Sequence, residues 1–408
     1  MIKKPPFHPL TVGYDWEMAV LKNTTESVGE EEIKKIANEM RRKISWARVG
    51  MDIDLLELRM EIISNWQEFK EKNRALIDCA KKIAERKGFT ILPIGVRPSE
   101  QMPIGSHIHI GTIADFTDAT RIANGMIKYV PCFVALACNS PFSRFEIGEF
   151  KSYRVIYNAE WCSFPTEMRI PRLARGGWGE DVQVRLPGKP TIEMRCLDST
   201  ADINLMEEYV GLLAGLLYGM GKRLKGKKED KDMVKWQSIN RFRAAKDGLQ
   251  ATLFWNSEEM SVTESFKEIF TIAQEGLEIF GASIDDLKII KKMLKKKQTQ
   301  ADFLLMFTEL DKDPPSLFRT IMNVLSNEDA FKEYLKKAKR LPIKKPVSIE
   351  NFILSHITKE VPYLHLYILT PFPPFYLNRI LTRLEKVGRI TSKVTPYEGR
   401  VYSRTDLL

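Results

Sequence analysis

No stretch of this chain is apolar for long enough to cross a bilayer. The longest run, Tyr209-Val-Gly-Leu-Leu-Ala-Gly-Leu-Leu-Tyr-Gly-Met-Gly221, falls short of the roughly 20 residues that a spanning helix needs. Its recurring small residues instead predict a buried helix in close contact with a neighbour. An apolar leader is also missing, because Met1-Ile-Lys-Lys runs straight into Pro5-Pro6, so secretion is not expected. Cysteine is scarce and odd in number. Cys79, Cys132, Cys138, Cys162 and Cys196 form no C-x-x-C pair, which argues against a disulfide framework or a zinc knuckle and points to a reducing cytoplasm. There is neither a G-x-x-x-x-G-K-[ST] loop nor a G-x-G-x-x-G turn, so a nucleotide site must be built from strands rather than at a helix N-terminus. Repeats and low-complexity tracts are absent as well.

What is present is an ordinary globular composition, with 44% hydrophobic and 28% charged residues. A length of 408 residues exceeds one compact core and predicts a large unit with a smaller one. The formal net charge of +10 suits nucleic acid or an anionic small substrate such as ATP or an amino-acid carboxylate. From Pro9 to about Phe254, short strand-like segments alternate with helices expected at 30–44, 64–87, 116–138, 203–224 and 236–254. Beyond about residue 258 the pattern is helical, and Leu287, Ile290 and Leu294 mark an apolar stripe beneath a basic face. Prolines and basic residues at Arg340-Leu-Pro-Ile-Lys-Lys-Pro346 interrupt it, which divides the chain into units 1–335 and 336–408.

Four strand-like segments share one pattern, in which alternate residues are apolar and the opposite face carries charge or imidazole. Residues two apart in a strand point the same way, so each pair is delivered to one surface. Asp15 and Glu17 form the first pair; Glu57, Arg59 and Glu61 share the second face; His107 and His109 form the third; Glu193 and Arg195 the fourth. Any one of these fits an antiparallel strand with a wet outer face. Together they place carboxylates and imidazoles where solvated faces ordinarily mix in Lys, Ser and Thr. Such a face repels itself unless cations neutralise it, and oxygen-rich sites of this kind suit Mg²⁺ or Mn²⁺, which grip ATP phosphates. Arg185 and Arg195 beside it suit bidentate contact with carboxylate or phosphate oxygens.

These residues resemble a known family, the type-2 glutamate–cysteine ligases and their carboxylate–amine ligase relatives. Thr11-Val-Gly-Tyr-Asp-Trp-Glu-Met18 is similar to that family's T-x-G-x-E-x-E strand, and Gly105-Ser-His-Ile-His-Ile-Gly111 to its G-x-H-V-H-V-G. Val130-Pro-Cys-Phe-Val-Ala-Leu-Ala-Cys-Asn-Ser-Pro-Phe142, then Gly148 and Ser152-Tyr-Arg154, resemble its V-P-x-[FL]-x-A-L-S-A-x-S-P-[FY] helix and following S-x-R. Thr191-Ile-Glu-Met-Arg-Cys-Leu-Asp198 matches T-V-E-V-R-x-x-D, and Asn240-Arg-Phe-Arg-Ala-Ala-Lys-Asp-Gly-Leu249 matches N-[RW]-x-x-A-x-x-x-G-L. The matches run in the family's order over about residues 9–330, and two of them also resemble strands of glutamine synthetases.

The resemblance implies an α+β fold: a glutamine synthetase-like antiparallel sheet with a charged concave face, flanked by helices. It implies that Asp15, Glu17, Glu57, His107 and Glu193 hold the metal ions that grip ATP and that His109 approaches its phosphates. Arg154, Arg185 and Arg195 would clamp the γ-phosphate, the acyl phosphate or a substrate carboxylate. The reaction implied activates a carboxylate, typically the γ-carboxylate of glutamate, by phosphorylation, and an amine such as cysteine then displaces phosphate. Two departures stand out: Asp15 replaces the family's Glu, and the segment between Arg154 and Arg195, with Trp161-Cys-Ser-Phe-Pro and Gly176-Gly-Trp-Gly179, is short. They motivate a second reading, a regulatory protein in which an altered ligase unit senses nucleotide or amino acid while the C-terminal module binds DNA or a partner. A homo-oligomer is a further implication.

Elsewhere the plain readings are preferred. Asn139-Ser-Pro is expected to stop a helix, Cys132, Cys138 and Cys196 to lie in the core, and Cys79 to lie in a helix and in the core as well. The tail reads as helix, turn, helix and two strands around Pro396-Tyr-Glu-Gly399, resembling a small basic winged helix, with Arg379, Arg383, Arg389 and Arg400 as candidates for DNA contact.

Overall fold

A computed structural model describes residues 9–22, 26–92, 94–97, 102–111, 116–143, 146–147, 150–157, 180–185, 190–200, 202–223, 237–255, 258–308, 316, 320, 329–341, 349–357, 360–369 and 374–407. Cys162, Gly148, the Trp161 and Gly176 segments and most of the linker after Arg340 lie outside the described residues. The helix Ala330–Lys337 runs across the expected boundary between residues 335 and 336.

Strand β1 (Thr11–Lys22) organises the rest because its alternation is strict where it matters. Val12, Tyr14, Trp16 and Met18 are buried on one face, which leaves Gly13, Asp15 and Glu17 on the other. The main sheet also contains β2 (Glu26–Ser27), β3 (Gly50–Asp52), β4 (Leu55–Arg59), β5 (Phe89–Leu92), β6 (Gly105–Gly111), β7 (Val182–Arg185) and β8 (Thr191–Asp198). Its order is β7-β8-β6-β1-β4-β3, every neighbour antiparallel, while β2 and β5 pair with the far half of β1.

Helices cover the apolar face. Glu30–Lys43 forms α1 and Trp66–Arg86 forms α2, the latter capped by Asn65 Oδ1, which accepts from Gln67 N at 2.9 Å and Glu68 N at 3.1 Å. Beneath β1, Tyr14 meets Trp16 and Phe69 edge-on, each with ring centres 5.9 Å apart. The Tyr14 hydroxyl donates to Asn73 Oδ1 at 2.7 Å, which satisfies both buried groups.

The single helix expected at 116–138 is two helices, α3 (Phe116–Met126) and α4 (Val130–Ala137), separated by a turn at 127–129. Pro131 is the cause, since it has no N–H to donate and is tolerated only in a first turn. The long buried helix is α5 (Ile203–Arg223). The helix expected at 236–254 ends early: α6 spans Gln237–Asp247, Gly248 follows at φ 56°, and Thr252–Trp255 is a strand paired with Glu258–Ser261. The Gly248 conformation favours glycine and turns the chain out of the helix. Helix α7 (Val262–Phe280) then crosses α5 where both are glycine. A Cβ built on Gly276 falls 2.6 Å from the Gly215 carbonyl oxygen, and one on Gly219 falls 2.1 Å from that of Ile272.

The stripe of Leu287, Ile290 and Leu294 is buried as expected, with the helix proper running Lys288–Lys296. Near the C-terminus, helices Ile349–His356, Tyr363–Leu369 and Pro374–Lys386 accompany a three-stranded antiparallel sheet. Its strands are Val361–Pro362, Ile390–Thr395 and Gly399–Arg404. Among the described residues no helix is long and apolar enough to cross a membrane.

Candidate functional site

Register assembles the site. Asp15 faces Arg59 on β4 and His107 on β6, Glu17 faces Glu57, and Gly13 faces His109. One strand further, His109 faces Glu193, which faces Gln183 on β7. Opposed residues in antiparallel strands share a face, so pairs far apart in sequence become neighbours on one surface.

The contacts follow from that placement. His109 Nε2 lies 3.2 Å from Asp15 Oδ2 and 3.8 Å from Glu193 Oε1. His107 Nε2 lies 3.7 Å from Glu17 Oε1, and its Nδ1 lies 3.8 Å from Glu193 Oε1. Both oxygens of Glu193 are engaged: Oε1 accepts from Arg195 Nη1 at 2.7 Å, while Oε2 lies 2.9 Å from Arg185 Nε and accepts from Gln183 Nε2 at 2.6 Å. Glu17 Oε2 accepts from the Gly105 amide at 2.7 Å. Glu61 departs from expectation: β4 ends at Arg59, and Glu61 lies beyond it in an ion pair with Lys72.

Electrostatics divide these groups. Burial pushes the Glu17 carboxyl up to about 7. It does the same to Glu57, also to about 7, with the Asp15 charge adding to the effect. Burial opposes ionisation of Glu193 too, but His109, Arg195 and Arg185 hold it below its ordinary value. Asp15 is likewise lowered, against its burial, by the His109 hydrogen bond and charge and by Arg59 and Arg185. Burial and then the Arg195 and Arg154 charges keep His107 well below its ordinary value, so it is a neutral imidazole with a lone pair to offer. His109 is raised, since Asp15 and Glu193 outweigh its desolvation.

The donor set of carboxylates and a neutral imidazole has the chemistry of a divalent-cation site. Two buried carboxyls that resist ionisation, Glu17 and Glu57, are groups that a cation would relieve. Glu57 Oε2 is in ion contact with Arg59 yet receives no aligned hydrogen bond. Among the described residues, however, no three or more His, Cys, Asp or Glu side chains already stand ready to hold a metal ion. Arg59 and Arg195 instead engage Glu57 and Glu193.

A pocket open to solvent adjoins this face and is lined by Glu17, His107, Arg154 and Arg195. Asp52, Ile53, Leu55, Met102 and Pro103 complete the lining. Arg154 is held there by its own scaffold: Nη2 donates to the Arg195 carbonyl at 2.9 Å, and Nη1 lies 4.0 Å from Asp198 Oδ1. Asp198 in turn accepts from the Asn139 amide at 2.8 Å and from the hydroxyls of Ser140 at 2.7 Å and Ser152 at 2.9 Å. Ser140 is thus structural, as the plain reading of Asn139-Ser-Pro expects. Gly105 leaves room for the Arg154 guanidinium, since a Cβ there would fall 2.3 Å from Arg154 Nη2.

The sheet therefore brings together Asp15, Glu17, Glu57, His107, His109, Glu193, Arg185 and Arg195, with Arg154 at the pocket. Sequence reasoning missed Gln183, although it stands two residues before Arg185 and so shares its face. It also passed over Asp52, Ile53, Met102 and Pro103, which carry no motif. Cys132, Cys138 and Cys196 are buried as expected; Cys79 lies in α2 but, against expectation, is only half-buried. Arg379, Arg383, Arg389 and Arg400 are all exposed, but Arg383 lies 3.6 Å from Glu350, and Lys393 and Arg404 pair with Glu360 and Asp406, which cancels part of the basic excess.

No family model matches the chain. Curated relatives do. A protein of Janthinobacterium sp. (strain Marseille), provisionally named glutamate–cysteine ligase 2, is 25% identical over 49% of this chain and 58% of its own length. Its namesake in Enterobacter sp. (strain 638) is 21% identical over 73% of this chain and 92% of its own length. The chain is similar to proteins named as type-2 glutamate–cysteine ligases. Its match spans less than two thirds of the first of these relatives and nearly all of the second. Among solved structures, the glutamate–cysteine ligase of Francisella tularensis in complex with AMP shares the fold, with TM-score 0.54 and 12% identity over 94% of this chain and 99% of that one. A chain from the complex between the prokaryotic ubiquitin-like protein Pup and its ligase PafA does so with TM-score 0.51 and 12% identity, over 96% and 86%. The relatives' names lend nothing to the regulatory reading.

Proposed function

We propose that this protein is an ATP-dependent carboxylate–amine ligase of the glutamate–cysteine ligase type. The observation that carries the reading is the antiparallel face on which Asp15, Glu17, Glu57, His107, His109 and Glu193 meet three arginines. In this reading a substrate carboxylate oxygen attacks the γ-phosphorus of ATP and ADP leaves; an amine then attacks the acyl carbon, phosphate leaves, and the amine's proton passes to a base. Mg²⁺ or Mn²⁺, when bound, would neutralise phosphate charge, and Asp15, Glu17, Glu57, His107 and Glu193 are the residues to hold it. The chain's own contribution is placement and charge. Neutral His107 presents a lone pair, His109 offers an N–H toward the nucleotide phosphates, and Arg154, Arg185 and Arg195 supply fixed positive charge where the phosphoryl group and the carboxylate meet.

The test is ADP release by the purified full chain with ATP, MgCl₂ or MnCl₂, glutamate and a panel of amines. The expected result is release that requires both an amine and the divalent cation and falls at least about a hundredfold in Glu17→Gln. Cation-independent release, or a Glu17→Gln variant as active as the parent, would remove the reading.

A further inference from the structure

The connection between β3 and β4 contains only two residues, Ile53 and Asp54, since Asp52 pairs with Leu55. Ile53 occupies the first of them at φ 52°, the left-handed region that favours glycine or asparagine. A β-branched residue there is strained, because both γ carbons crowd the backbone. Nor does the side chain repay this by filling the core, for Ile53 is 53% exposed. Strain kept at an exposed apolar residue directs attention to what that residue faces. Ile53 lines the pocket that holds Glu17, His107, Arg154 and Arg195.

The pocket lining carries three kinds of group. Arg154 and Arg195 provide positive charge for a carboxylate, the Asp52 carboxyl lies where an amino group is favoured, and Ile53, Leu55, Met102 and Pro103 are apolar. A molecule that matches all three is an α-amino acid whose side chain is aliphatic or a thioether. We infer that the pocket takes such an amino acid and that Ile53 sets the specificity by covering its side chain. Resting on the ligase reading, this molecule is the amine substrate, and its α-amino nitrogen is the nucleophile.

Calorimetric titration of the full chain with leucine, methionine, alanine and glycine, without nucleotide, tests the inference independently of turnover. Leucine and methionine are expected to bind about tenfold or more tightly than glycine, the scale of discrimination an apolar pocket gives to added methylenes. Ile53→Gly, and Ile53→Asn as a second variant, are expected to melt at the same or a higher temperature, because the strain is released, while losing most of that preference. A preference unchanged in both variants, or none in the parent, overturns the inference whatever the ADP assay shows. Selective binding with no ADP release would instead count against the ligase reading and leave the Ile53 assignment standing.

Discussion

Arg195 Nη1 stands 2.7 Å from Glu193 Oε1 and 3.4 Å from His107 Nδ1, so one guanidinium ties together two strands of the charged face. A lysine ammonium, a compact and strongly hydrated charge on a flexible stem, does not hold that bridging position as a planar guanidinium does. Arg195→Lys is therefore expected to lower ADP release about a hundredfold, with little change in the circular dichroism of the fold. Activity within threefold of the parent, read in a coupled ADP assay, would show that the bridge is dispensable.

Asp198 is a buried acceptor for three donors, those of Asn139, Ser140 and Ser152. In Asp198→Asn an amide NH₂ replaces one acceptor and confronts a donor, leaving a buried polar group unpaired. The expected loss is about 3 kcal/mol in urea unfolding. A loss below about 1 kcal/mol would mean that the network rearranges around the amide.

Helices α5 and α7 touch through backbone at Gly215 and Gly276, where an added Cβ would lie 2.6 Å from a carbonyl oxygen. Since backbone cannot step aside as a side-chain tip can, Gly276→Ala should force the helices apart and cost about 2 kcal/mol. Gly29 meets nothing within 4 Å of its built Cβ and provides the control, with Gly29→Ala expected to stay within about 0.5 kcal/mol of the parent. Equal melting temperatures for the two variants would contradict the packing account.

Glu208 is buried and accepts the amides of Ile289 at 2.9 Å and Ile290 at 2.8 Å. Burial pushes its carboxyl from the ordinary 4.5 up to about 8 in the folded state. The folded chain then binds a proton that the unfolded chain releases at lower pH. The stability from this group is thus complete below 4.5 and is lost as pH rises through about 8. Glu208→Gln should flatten the fall of the urea midpoint across that window. A parent and variant with parallel pH profiles would place the proton elsewhere.

Much of the site was legible before the fold because side-chain direction in a strand is a local property. The alternation Val12, Tyr14, Trp16, Met18 is enough to put Asp15 and Glu17 on one face, and the same holds for His107 with His109 and for Glu193 with Arg195. The small residues of the Tyr209–Gly221 run likewise announced a close helix contact, and Cys132, Cys138 and Cys196 were expected in the buried setting they have. Helix ends were less legible: the break near Tyr129 and the stop at Gly248 hang on single residues inside longer periodic patterns.

Strand order and register belong to the tertiary structure alone. Nothing local brings His109 to Asp15 across 94 positions, or gives both oxygens of Glu193 to Arg195, Arg185 and Gln183. Those pairings are decided by which apolar faces bury together, and the charged face is carried along by the register that burial selects. The same holds for Ile53, whose left-handed backbone follows from the two-residue closure between β3 and β4 and not from any preference of isoleucine.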